Sequence, residues 1–405
     1  MMKNMLKKDF KYIDLFAGIG GFHQAMKKMG GECVFAAELN EETAKTYTLN
    51  YGINAHFDIT KINPSDIPQH DVLCAGFPCQ SFSKAGNQLG FNDVRGVLFF
   101  DIVRILQYHK HIYGGPRFLV LENVRNIVSH DSGRTWMRIK KELQQLNYNV
   151  IESPIIASPH NFGVPQLRER AVILAVRNDI YNKEIKLQID KMSKHTNNIE
   201  EYLVTKSTDE YKLQSFKISN YELKVLEMWD DFLNGISDEV IGFPIWSEVF
   251  LSEKSDPNIP KWKQEFINKN LDLYNRNKKF IDSWYLKHDK LSWVLKTHKK
   301  FEWQAGKSIK SVFEGIIQFR TSGVRVKQAT VFPALVAMVH IPIIGKQKRY
   351  ITPRECANLQ SFPSDFIIDS NIRLAYKQFG NAVNVEVIHR IFTNFLETIG
   401  GKFND

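Results

Sequence analysis

The amino-acid sequence predicts an α/β protein with a parallel, doubly wound sheet, and three observations carry that expectation. Short apolar runs alternate with amphipathic segments through residues 10–178. A glycine-rich turn and two turns with reactive side chains each follow one of these runs, and ligands on such sheets bind beyond the carboxyl ends of the strands. After Arg177 the alternation stops, and a stretch rich in Lys, Asn and Trp continues until a new helical pattern starts near residue 350.

In order, strands are expected at 12–16, 33–37, 72–75, 118–121, 150–156 and 171–176, and helices at 22–29, 41–50, 98–109 and 136–146. The first strand leads into the turn Asp14-Leu15-Phe16-Ala17-Gly18-Ile19-Gly20-Gly21-Phe22, from which the first helix opens. Glu38 ends the second strand, and Phe118-Leu119-Val120-Leu121 runs into Glu122-Asn123-Val124. Helix-like stretches follow at 221–233 and 262–284, with no repeat and no low-complexity linker. Thr352 reads as an N-cap with Pro353 at the first helical position, and 384–399 as a final amphipathic helix. The pattern divides the chain into 1–178, 179–349 and 350–405.

A chain of 405 residues, 43% hydrophobic and 24% charged, is an ordinary globular composition with room for two domains. No apolar stretch approaches the ~20 residues that span a bilayer, and Met1-Met2-Lys3-Asn4-Met5-Leu6-Lys7-Lys8 does not read as a secretory signal. The cysteines (Cys33, Cys74, Cys79, Cys356) show neither metal-ligand spacing nor a disulfide framework, so a cytoplasmic setting is expected. The net charge of +10 suggests a polyanionic partner. Residues 201–260 hold 5 Lys+Arg against 12 Asp+Glu, whereas 261–350 hold 19 against 6, together with Trp262, Trp284, Trp293 and Trp303. That second stretch suits a nucleic-acid face, or equally a solvated helical surface over an aromatic core.

The chemistry concentrates at the strand ends. Cys79 follows Pro78 in Gly76-Phe77-Pro78-Cys79-Gln80-Ser81-Phe82-Ser83, just beyond the run 72–75, where a thiol is positioned like a nucleophile. Cysteines in such chains are more often small buried hydrophobes, the expected role of Cys33 and Cys74. The spacing of Gly18, Gly20 and Gly21 is not the dinucleotide Gly-x-Gly-x-x-Gly. Glu38 stands where an acid can hold ribose hydroxyls, and Asp58 can accept from an adenine amino group. A nucleoside without pyrophosphate fits, with S-adenosyl-L-methionine the leading candidate; a merely tight strand–helix turn would look similar. Glu122 is a catalytic or a capping acid, and Gln166-Leu167-Arg168-Glu169-Arg170 presents Arg168 and Arg170 on one face, either as ligands or as an exposed edge.

These blocks, in this order, resemble the DNA (cytosine-5)-methyltransferases, especially those of bacterial restriction–modification systems. The match runs from the turn at 14–22 through 76–83, Arg95-Gly96 before Leu98-Phe99-Phe100, Glu122-Asn123-Val124 and Gln166–Arg170. It resumes at Arg354-Glu355-Cys356-Ala357 and Gln378-Phe379-Gly380-Asn381-Ala382-Val383. The resemblance implies a Rossmann-like S-adenosylmethionine-dependent methyltransferase domain, with 179–349 as an inserted target-recognition domain and 350–405 returning to the catalytic domain. It implies Cys79 as the nucleophile that attacks C6 of a flipped-out cytosine, Glu122 on N3, Arg168 on O2 and Arg170 supporting Glu122 or the backbone. It places Phe16 against adenine, Glu38 on the ribose and Asp58 on the adenine amino group. Gly18, Gly20, Gly21, Leu39, Ile59, Pro78, Leu98, Asn381 and Val383 complete the cofactor set.

Two departures stand out. Leu39 occupies a position where many relatives carry an aromatic residue, which shifts adenine stacking toward Phe16. His160-Asn161-Phe162-Gly163 replaces a common Asp-Tyr-Gly, and His160 is read as a structural variant. Residues 80–95 are expected to form a loop that closes over the flipped base. Ser83, Arg95, Arg320, Arg325 and Lys327 are the candidate DNA contacts. The partners implied are double-stranded DNA and a cognate restriction endonuclease, no membrane is involved, and a monomer is expected. The alternatives are a tRNA cytosine-5 methyltransferase, which predicts a smaller recognition region, and a DNA-binding module without catalysis.

Overall fold

The computed structural model describes residues 10–78, 98–189, 199–204, 213–240, 242–251, 259–335 and 340–400. The chain divides into two compact units, one formed by 1–197 with 356–405 and the other by 198–355.

In the first unit, strands β1 (Lys11–Leu15), β2 (Glu32–Ala37), β3 (Val72–Ala75), β4 (Phe118–Val124), β5 (Tyr148–Val150), β6 (Ile155–Ala157) and β8 (Arg170–Arg177) build one sheet, while β7 (Gln166–Leu167) precedes β8 outside it. The strand order is β2-β1-β3-β4-β8-β5, with β6 also on β8. Helices α1 (Gly21–Lys28), α2 (Glu41–Tyr51), α3 (Leu98–Tyr113) and α4 (Arg134–Gln145) supply the crossovers and intervening layers. β1 to β4 are mutually parallel, and Val72–Ala75 is wholly buried, as a strand covered on both faces requires. Ile13, Leu15, Leu73, Ala75, Leu119, Leu121, Ile173 and Ala175 share one core cluster with α3 and α4 side chains. The chain leaves β1 toward β2 on one side and returns to β3 on the other. The crevice at that reversal is where such sheets bind ligands.

The parallel sheet carries antiparallel strands at one side. β8 runs antiparallel to β4, from Phe118↔Val176 to Val124↔Arg170, and β5 and β6 are antiparallel to β8. The consequence is functional, because a parallel β8 would begin at the opposite edge of the sheet. Only the antiparallel pairing sets the start of β8, and with it Arg168 and Arg170, beside the carboxyl end of β4. The single strand expected at 150–156 is also two short strands. Pro154 lies between them and has no N–H to donate to a ladder.

The second unit joins helices Asn220–Gly235, Lys261–Arg276 and Lys278–Lys287 to a sheet containing β9 (Ile245–Trp246), β10 (Lys300–Gln304), β11 (Gly315–Arg320) and β12 (Gly323–Gln328). The helix expected over 262–284 is interrupted at Asn277, which is the C-cap of one helix and the N-cap of the next. Trp229, Phe232, Trp284, Phe301, Val324 and Val326 are buried in its core, with Trp229 stacked on Phe301 at 4.8 Å. Of the aromatics read from the basic stretch, Trp284 and Trp303 are buried and Trp262 is exposed. The aromatic content there is mainly core.

Candidate active site

Phe16 leaves β1 with φ 58°, a left-handed backbone that a bulky residue adopts only when its surroundings enforce it. Here the enforcement is visible. Ala17 N–H donates to Ala37 O at 2.9 Å and Gly18 N–H to Glu38 Oε2 at 3.0 Å, pinning the turn across the end of β2. The other oxygen of Glu38 accepts from Asn40 N–H at 2.8 Å. Gly18 has φ 55°, and a Cβ added to it would meet nothing within 4 Å, so its backbone is open to a ligand. Gly21 is different, since a Cβ there would lie 2.2 Å from Val383 O. That glycine permits close backbone packing.

A cleft of ≈ 820 Å³ opens at this edge, and among its lining residues are Phe16, Gly18, Glu38, Leu39, Asp58, Ile59, Pro78, Leu98, Glu122, Arg168, Arg170 and Asn381. Thr60 donates to Asp58 Oδ1 from its hydroxyl at 2.7 Å and its amide at 3.1 Å, and Lys61 lies 3.4 Å from Oδ2. These contacts, the Thr60 hydroxyl first, hold Asp58 below the usual carboxylate range as an ionised acceptor. Arg104 on α3 donates to Ile59 O and Ile62 O, each at 2.8 Å, and so fixes the turn after Asp58. Two carboxylates, an open glycine and an apolar wall suit a nucleoside. The same acids would repel a pyrophosphate.

At the other end of the cleft, Glu122 Oε1 lies 3.0 Å from Arg170 Nε. Arg168 is 4% exposed, donates from its own amide to Ser158 Oγ at 2.8 Å, and donates from Nη2 to Ala382 O at 3.1 Å. Burial, reinforced by the like charge of Arg170 and opposed by Glu122, pushes the Arg168 guanidinium down to about 9. Asn123 donates to Phe77 O at 3.2 Å, and a Cβ added at Gly76 would lie 3.7 Å from Glu122 Oε2. The turn that leads into Cys79 therefore starts against the end of β4.

Of the residues read from the sequence, Gly20, Gly21 and Val383 are not in this cleft wall. Gly20 (φ 87°) leaves no space for a Cβ beside the Tyr51 ring, and Val383 fills the space beside Gly21 and Gly76. Cys79, Ser83, Arg95 and the loop 80–95 lie outside the described residues. Arg320, Arg325 and Lys327 belong to the second unit. Strand alternation puts them on the face of β10–β12 opposite Phe301, Trp303, Val324 and Val326. Both Nε and Nη2 of Arg325 lie 2.6 Å from Glu302 Oε2, with Arg320 Nη1 at 3.9 Å. Phe57, Arg104 and Asn123 were missed by sequence reasoning, because their value depends on partners up to 46 residues away.

A family model of C-5 cytosine-specific DNA methylases matches residues 10–397. Type II methyltransferase M.DsaV of Dactylococcopsis salina is 32% identical over 395 residues, covering 98% of this chain and 88% of its own. Type II methyltransferase M.HpaII of Haemophilus parainfluenzae is 32% identical over 404 residues, covering 98% and 92%. The solved structure of Entamoeba histolytica methyltransferase EhMeth matches with TM-score 0.55 at 17% identity over 96% of this chain and 99% of that one, which speaks for the fold. With its motif order, its α/β sheet and a match across nearly its full length, the chain belongs to the C-5 cytosine-specific DNA methylase family.

Proposed function

We propose that this enzyme methylates C5 of one cytosine in a specific duplex DNA sequence, taking the methyl group from S-adenosyl-L-methionine held in the cleft. The observation that carries the reading is the convergence of Glu38, Asp58, Glu122, Arg168 and Arg170 on one cleft. When bound, the cofactor supplies an electrophilic methyl group on a sulfonium. Phe16, Glu38 and Asp58 hold its nucleoside end, and Gly18 lets it approach the backbone.

The target base reacts only outside the helix stack, at a cost of a few kcal/mol for flipping. Cys79, one residue beyond the cleft-lining Pro78, forms the bond to C6 as a thiolate. Glu122 then stabilises the ring through N3, where negative charge develops. Because Arg170 engages Oε1, Oε2 is the oxygen left for that contact. Arg168 binds the O2 carbonyl. Once C5 carries the methyl group, its proton passes to solvent and the electron pair left behind re-forms the C5–C6 double bond as the thiolate leaves C6, regenerating Cys79. Glu122→Gln keeps a hydrogen-bond donor but removes the carboxyl group that can give up a proton, and is expected to slow single-turnover methylation roughly 10²-fold with little change in cofactor affinity. A rate within twofold of the parent would exclude Glu122 from the chemical step.

The 179–349 insert, most of which lies in the 198–355 unit, is proposed as the target-recognition domain, with Arg320, Arg325 and Lys327 facing DNA. Lys327 is half-buried, and burial together with Arg325 and Arg320 lowers its pKa, strain that a phosphate would relieve. Lys327→Ala should weaken binding to all duplexes alike and reduce the slope of log K against log salt by about one unit. An unchanged slope would remove Lys327 from the interface. Cytosine methylation mapped across DNA from cells expressing the protein tests the whole reading. One modified sequence is expected, protected from an endonuclease that cuts the same site. Modified tRNA with unmodified DNA would favour the tRNA alternative. A monomer in the cytoplasm completes the proposal, and among the described residues no helix is long and apolar enough to cross a membrane.

A further inference from the structure

The adenosyl end of the cleft contains an aromatic side chain that neither the motif order nor the spacing singles out. A flat purine needs an apolar wall on each side. Phe16 supplies one, while Leu39 is 67% exposed. Among the described residues three phenylalanines line the cleft; Phe77 is 3% exposed, which leaves Phe16 and Phe57 with surface to offer.

Phe57 is placed by backbone pairing. A parallel bridge joins Glu38 to His56, with Glu38 N–H donating to Ala55 O at 2.7 Å and Phe57 N–H to Glu38 O at 3.3 Å. That pairing brings residues 56–58 alongside the end of β2, so Phe57 lies beside Glu38 and directly precedes Asp58. Its ring stacks on Phe35 at 5.4 Å with planes 29° apart, which restrains it, and 37% of the residue stays exposed. With Phe35 packed against it, the ring still leaves open surface in the cleft wall. Asp58, the next residue, is held ionised by Thr60 and Lys61, so one short segment presents both an apolar plane and an acceptor for an exocyclic amine.

We infer that Phe57 is the second apolar wall of the adenine slot and a determinant of cofactor affinity, in place of an aromatic side chain at position 39. The inference rests on the reading that the cleft takes S-adenosylmethionine. Planar contact of this kind is worth about tenfold in affinity.

Calorimetric titration of the DNA-free protein with S-adenosylmethionine and S-adenosylhomocysteine provides the test. Phe57→Ala should raise both dissociation constants about tenfold, and adding Leu39→Trp to Phe57→Ala should recover most of that loss, since an indole at 39 can cover the same base. Phe57→Leu keeps an apolar contact with Phe35 without the flat ring, and serves if the alanine variant does not fold; about threefold weaker binding is expected. Affinities within twofold of the parent in Phe57→Ala, or in Phe57→Leu where that variant replaces it, would overturn the inference while leaving the cofactor reading intact. So would a loss that Leu39→Trp does not restore, which would make Phe57 only a support for Phe35. Failure of the parent protein to bind either ligand would instead remove the cofactor reading, and the inference with it.

Discussion

Replacing Cys79 with alanine should lower methyl transfer to DNA by roughly 10⁴-fold or more, equivalent to about 5.4 kcal/mol of transition-state stabilisation. C5 of cytosine is a poor nucleophile until a group adds at C6, and the proposed route has no other nucleophile. Pro78 lines the cleft, Phe77 is tied to Asn123, Gly76 lies against Glu122, and Cys79 is the next residue in the sequence after Pro78. Affinity for S-adenosylhomocysteine should stay within about twofold, because Phe16, Glu38 and Asp58 are untouched. Single-turnover transfer from labelled cofactor measures the first quantity and calorimetry the second. A duplex carrying 5-fluorocytosine at the target should trap the parent protein covalently, since fluorine cannot leave as a proton does, and should not trap the alanine variant. Transfer by Cys79→Ala within tenfold of the parent would end the covalent mechanism.

The second large effect is on stability. Arg349 and Glu355 form a bidentate pair, Nη1 to Oε2 at 2.9 Å and Nη2 to Oε1 at 2.7 Å, with side chains 4% and 0% exposed. Glu355 also accepts from Thr352 N–H at 2.6 Å and Val204 N–H at 2.9 Å, and its own amide donates to Thr352 Oγ1 at 3.2 Å. The result is a buried capping box at the helix Pro353–Leu359. Removing one partner of such a pair leaves a desolvated charge, and Glu355→Ala should cost roughly 3–5 kcal/mol. Replacing both partners with methionine should recover much of that loss, because two apolar side chains leave no buried charge behind. Six of the seven tryptophans lie within 198–355, so tryptophan fluorescence during urea unfolding follows mainly this unit. A Glu355→Ala midpoint equal to that of the parent would show that the pair contributes nothing net.

Glu355 illustrates how unevenly the molecule can be read from its sequence. Thr352 and Pro353 announce a helix start through residues only a few positions apart, and the helix forms there. The pairing of Glu355 with Arg349 depends on a strand end folding back, which no spacing rule supplies. The same contrast holds at the cleft. Glu38 and Asp58 are legible because each follows a short, strongly patterned segment. Phe57 is not, since a phenylalanine beside an acid has no local signature until the Glu38–His56 bridge places it.

What the sequence determined by itself is therefore the local order: apolar runs long enough for strands, the glycine turn after β1, the helix caps, and a succession of motifs specific enough to indicate the family. Those features depend on backbone preferences and contacts within a few residues, which composition and period record directly. Tertiary structure decided the rest. It reversed β8, which brings Arg168 and Arg170 to the edge that holds Glu122. It turned Gly21 and Val383 into mutual packing partners, placed Trp284 and Trp303 in a core, and set Glu302 against Arg325. Each outcome depends on which distant segment comes alongside. The energy of such pairings is shared between residues far apart in the chain, so one segment read alone does not contain it.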